Sequence, residues 1–130
     1  MSLAPVSLEE LRLVWPDVRD RIAAIAARFE QPWIADDVFH ELLVGNSHLW
    51  VSDDRSLFVV LRVFATMYER TLHVWVAGNS AGSMGDYLED VKAIAADNAC
   101  SRITWESDRK YHRALPGVKV TYAYSIDVGD

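Results

Sequence analysis

The sequence predicts an α/β protein with a largely antiparallel sheet flanked by helices. Three observations carry that reading. Helix-period apolar stripes fill the first third of the chain, and three short-linked apolar runs follow between His48 and Ala77. A helix, a strand, a short helix and a strictly alternating strand then close the chain. Consecutive strands joined by short links pair antiparallel.

The first helix opens at Ser7-Leu8-Glu9-Glu10, an S-x-x-E capping box in which side chains satisfy the free amides reciprocally. Leu8, Leu11 and Trp15 recur at helical spacing, and Val18, Ile22, Ile25 and Phe29 continue the stripe. Pro16 is expected to interrupt this helix or to begin a new one, since proline removes an internal hydrogen bond. A second helix fits Ala35 to Val44, with Asp36-Asp37 at its start and Gly45-Asn46 as its stop. Strands are predicted at His48 to Ser52, Leu57 to Ala65 and Thr71 to Ala77, with turns at Asp53-Asp54-Arg55 and Tyr68-Glu69-Arg70.

Met84, Tyr87, Leu88, Val91, Ile94 and Ala95 line one side of a third helix, and Asp86, Glu89, Asp90, Lys92 and Asp97 the other. Arg102 to Glu106 reads as a strand and Asp108 to Leu115 as a short helix, with a break at Pro116-Gly117. In the last stretch Val118, Val120, Tyr122, Tyr124, Ile126 and Val128 alternate with polar or small residues, as a half-buried strand does.

Composition limits the function classes. At 130 residues, 51% hydrophobic and 25% charged, the chain reads as a single globular domain, 1–130. A net charge of -6 opposes sequence-independent nucleic-acid binding, which needs a basic footprint. No apolar run is long enough to span a bilayer and the start is not basic, so no membrane association and a cytoplasmic location are expected. Cys100 is the sole cysteine, and His40, His48, His73 and His112 lack ligand spacing; no metal site is expected. Cys100 reads as a small buried residue at a strand entry. A protein partner or self-association stays open, because a stripe such as Leu8, Leu11 and Trp15 binds a partner as readily as it closes a core.

Gly78-Asn79-Ser80-Ala81-Gly82 spells the G-x-S-x-G of a hydrolase nucleophile elbow. That elbow needs a large parallel sheet, an upstream oxyanion loop, and a later acid and histidine. Here the sole later histidine, His112, sits four residues after Asp108 in a predicted helix. Ser80 is therefore read as part of a loop and not as a nucleophile.

The same loop runs from a strand into a helix, where free amides attract anions. The element order from about Pro16 to Val128 resembles the GNAT superfamily of N-acyltransferases, and implies a GNAT-like sandwich. In that family acetyl-CoA or another acyl-CoA lies where two neighbouring strands splay apart, and a Q/R-x-x-G-x-G/A loop binds its pyrophosphate. Asn79-Ser80-Ala81-Gly82-Ser83-Met84 aligns with that loop through Gly82, with Asn79 in place of Gln/Arg and Met84 in place of Gly/Ala.

Asn98-Ala99-Cys100-Ser101-Arg102-Ile103 and Asp108-Arg109-Lys110-Tyr111-His112-Arg113-Ala114-Leu115 look most like the GNAT-like proteins of tailed phages and prophages. Asn98 and Ala99 stand where that group has a lone Gly, and Asp108 where it has a second. The family's first strand is missing from this reading, and one C-terminal strand replaces its usual hairpin.

The resemblance implies roles for particular residues. Asn79, Ser80, Gly82 and Ser83 belong to the cradle, and backbone groups of Val74 and Val76 face the pantetheine arm. Arg109 and Arg113, four apart on one helical face, reach the CoA phosphates or pair with surface acids. Glu106 is the candidate base and Tyr111 the candidate acid. By strand alternation His73 and Trp75 face away from Val74 and Val76.

Against a working cradle stand Asp86, Glu89 and Asp90 at the helix start, and the lack of any Lys or Arg between Thr71 and Val91. Three readings follow. One is a non-catalytic GNAT-fold accessory or virion protein of phage type, the second an acyl-CoA-dependent N-acyltransferase, and the third an unrelated α/β binding module or hydrolase.

Overall fold

The computed structural model describes residues 3–28, 30–79, 88–108 and 121–128. In chain order the elements are β1 (Leu3–Pro5), α1 (Leu8–Arg28), α2 (Ala35–Leu43), β2 (His48–Ser52), β3 (Leu57–Ala65), β4 (Arg70–Asn79), α3 (Leu88–Asp97), β5 (Arg102–Asp108) and β6 (Thr121–Asp127). The strands form one six-stranded sheet in the order β1-β2-β3-β4-β5-β6. Every neighbouring pair is antiparallel except β4 and β5, which are parallel and joined through α3.

Helix α1 begins as its sequence specifies. The Glu10 amide donates to Ser7 Oγ at 3.2 Å and the Ser7 amide to Glu10 Oε1 at 3.3 Å. Pro16, expected to break it, lies inside one continuous helix. The reason is tertiary. Leu11, Val14, Trp15, Val18, Ile22 and Ala26 are all buried along one stripe. Burying each large apolar side chain contributes about 1.5–3 kcal/mol, so several together outweigh the roughly 3 kcal/mol of an interior proline.

Helix α2 is closed at its start by Asp37, whose carboxylate accepts from the Ile34 amide at 2.9 Å. At its end Gly45 takes φ +82°, a conformation costly for any residue with a Cβ.

The expectation of no first strand is corrected. Leu3–Pro5 pairs antiparallel with Trp50–Ser52. Three residues ending in proline carry no readable period, and proline is tolerated there because the strand is an edge.

Apolar side chains fill both faces of the sheet. On one, α1 and α2 pack against Leu49, Val51, Phe58, Val60 and Val76. On the other, Val91, Ile94 and Ala95 of α3 meet Leu57, Val59, Leu61, Leu72, Val74 and Ile103. Cys100 is buried at the entry to β5, as expected. Among the described residues no helix is long and apolar enough to cross a membrane.

Candidate functional site

The centre of the sheet is irregular in a way its sequence did not reveal. Along β3 and β4, Val60 pairs with Val76 but Leu61 pairs with Val74, so Trp75 is an extra residue in β4. Such a bulge bends a strand and re-aims its side chains. The alternation placing Val74 and Val76 on one side is therefore corrected. Val74 faces the α3 side, whereas Val76 lies with Trp75 against α1 and α2. Phases resume beyond the bulge, with Ala77 on the α3 side and Gly78 directly over Phe58.

At the same level β4 parts from β5. Their parallel register runs from Thr71↔Arg102 to Val74↔Trp105 and stops there, although β4 continues to Asn79 and β5 to Asp108. On their outer edges both strands stay paired. Val76 to Asn79 pair with β3, and Glu106 to Asp108 with β6. The facing edges, Trp75 to Asn79 and Glu106 to Asp108, have no ladder between them. Every such edge presents amides and carbonyls that need partners. Among the described residues this leaves a slot with polar backbone on both sides.

Four of the sequence-predicted site residues are described, and all four border this slot. Val74 is the last residue of the β4–β5 ladder, and Val76 lines the open edge. Asn79 ends β4 opposite Leu57, and Glu106 is the first β5 residue past the ladder. Strand β5 runs through Asp108, which was expected to open a helix. Ser80, Gly82, Ser83, Arg109, Tyr111 and Arg113 lie outside the described residues. Glu89 and Asp90 occupy the first turn of α3, and one Asp90 oxygen is buried without a hydrogen-bond partner among the described residues.

Beside the slot, on the α1/α2 side, lies a group that sequence reasoning passed over. His73 Nδ1 is 2.8 Å from Thr104 Oγ1, a bridge between β4 and β5 one residue below the parting. Trp75 packs edge-on against Trp33, which precedes α2, with ring centroids 5.4 Å apart. The Arg62 guanidinium lies 5.3 Å from the Trp75 centroid and 5.2 Å from that of Phe64, within cation–π range. Glu41 of α2 meets Arg62 Nη2 at 3.4 Å. A lone arginine inside the apolar run Leu57–Ala65 was the available signal.

Two other features are remote from this chemistry. Burial pushes the Cys100 thiol up, against the opposing pull of Arg70, so the thiolate is not favoured. A cavity of ≈ 200 Å³ lies on the α3 side among Trp50, Leu61, Val63, Leu72 and Ile94, below the parting of β4 and β5.

No family model and no curated protein matches this sequence. Solved structures do. One is a probable acetyltransferase, with TM-score 0.61 and 16% identity, covering 81% of this chain and 78% of that one. Another is a chain from the NatC complex crystallised with Gag peptide and CoA, with TM-score 0.65 and 8% identity, covering 99% of this chain and 100% of that one. At such identities the likeness speaks to architecture alone: the fold is GNAT-like.

Proposed function

We propose that this chain binds an acyl-CoA in the slot between β4 and β5 and transfers the acyl group to an amine. The observation that carries the reading is the parting of the two parallel strands beyond Val74 and Trp105. Unpaired strand edges suit a pantetheine arm, whose amides can replace the missing ladder. The CoA-bound state of the NatC complex and the acetyltransferase neighbour support the same ligand class.

In this reading amides of Asn79, Ser80, Gly82 and Ser83 hold the pyrophosphate, with Arg109 and Arg113 on the phosphates. The amine nitrogen attacks the thioester carbonyl, a C–N bond forms and the C–S bond breaks. Glu106 takes a proton from the amine, and Tyr111 gives one to the departing thiolate. Acetyl-CoA with a panel of amines, followed by release of free thiol, tests this. Glu106→Gln is expected to lower kcat by about 10²–10⁴-fold, the usual range for a general base, with CoA binding retained.

A second reading is favoured by the acids of α3. Glu89 and Asp90 sit where a pyrophosphate would come, and no Lys or Arg lies between Thr71 and Val91. There the chain is a non-catalytic accessory or virion-associated protein of phage type that keeps the fold for a protein partner. It predicts no amine-dependent thiol release from acetyl-CoA at any enzyme concentration.

A further inference from the structure

We infer that the group beside the slot is the acceptor subsite, and that it takes a free α-amino acid with an apolar side chain. The inference rests on the acyl-transfer reading above, whose amine it identifies.

Arg62 pairs in register with His73, and its guanidinium lies against Trp75, the first residue of the open β4 edge. Its guanidinium is flanked by Trp75 and Phe64. Its contact to Glu41 is a single one at 3.4 Å, long for a charge-assisted hydrogen bond. Its Nε is buried with no hydrogen-bond partner among the described residues. Arg62 and Glu41 side chains are only 29% and 22% exposed, while Phe64 is 47% exposed and opens the group to solvent.

A half-desolvated ion pair with a vacant donor costs free energy as it stands. Glu41, whose Oε2 already accepts from Asn46 Nδ2 at 3.2 Å, keeps lone pairs for an ammonium, and a zwitterion gives Arg62 the acceptor it lacks. Its carboxylate takes the forked donors of Arg62, a geometry lysine does not offer, and its ammonium sits against Glu41. An α-amino acid carries both groups on one carbon. Trp33, Trp75 and Phe64 supply apolar walls for its side chain. A peptide N-terminus or a simple amine lacks the adjacent carboxylate. On acylation the ammonium gives up two protons, one to solvent and one to Glu106, while Tyr111 protonates the CoA thiolate, and the new amide no longer complements Glu41.

Binding of L-phenylalanine, L-phenylalaninamide and phenethylamine, measured by calorimetry with and without CoA, tests this apart from turnover. L-phenylalanine is expected to bind at least tenfold tighter than the other two. Arg62→Met and Arg62→Lys are each expected to erase that preference and, in turnover, to raise KM more than they lower kcat. Acetyl-CoA binding in both variants should match the parent chain, which also shows that they fold. Equal binding of the amide, a retained preference in either variant, or no binding of L-phenylalanine overturns the inference. Absence of acetyl-CoA binding overturns the acyl-transfer reading instead.

Discussion

A Cβ on Gly78 would overlap the ring of Phe58 at Cε1, and Phe58 is fully buried. Gly78→Ala is therefore expected to cost about 1–3 kcal/mol, the usual penalty of overpacking, read as a fall of several degrees in Tm. This glycine is required by packing against Phe58, which accounts for the first letter of the G-x-S-x-G spelling. Near the same end of β3, Asp54 accepts hydrogen bonds from the Ser56 amide, Ser56 Oγ and Ser52 Oγ. Those bonds, led by the Ser56 amide, lower its pKa from 3.8 to about 2. A carboxyl depressed by folding contributes stability above its unfolded pKa and loses it as pH falls through the folded one. The stability gap between the parent chain and Asp54→Asn is thus expected to be constant above pH 5 and to shrink between pH 4 and 2, measured by urea unfolding.

At the scale of elements, the bulge decides what β4 presents. Its sequence, Leu72 to Ala77, is apolar at nearly every position. No alternation therefore marks where the phase slips, and Val76 was assigned to the wrong face. Strand β1 escaped notice because three residues are too few for a period. Pro16 misled in the other direction, since local propensity gave way to a buried stripe. The capping box at Ser7, the stop at Gly45 and the antiparallel run β2-β3-β4 were legible because each rests on local chemistry or on a clear period. Deleting Trp75 would restore continuous alternation, leaving Val74 and Val76 on the faces they already occupy and removing the bulge itself. It is expected to abolish acetyl-CoA binding and, if the shortened chain folds at all, to lower Tm by more than Gly78→Ala does. Retained binding would show that the bulge does not make the slot.

For the whole molecule, the order of elements was the most legible property. Helix and strand periods gave the layers, and the resemblance to GNAT proteins then anticipated a parting of two strands that the structure displays between β4 and β5. The polar group around Arg62 was not legible, because it is assembled from β3, β4, α2 and the segment before α2, which only the fold brings together. If the slot is a working acyl-CoA site, bound acyl-CoA stabilises the fold. Thermal unfolding with and without excess acetyl-CoA tests it most directly. At a hundred times its dissociation constant the ligand should add about 2.7 kcal/mol, raising Tm by several degrees and saturably, and the rise should weaken when Gly82 is replaced by a bulky residue. No shift at millimolar acetyl-CoA would contradict the claim and leave a GNAT-like scaffold that serves another role.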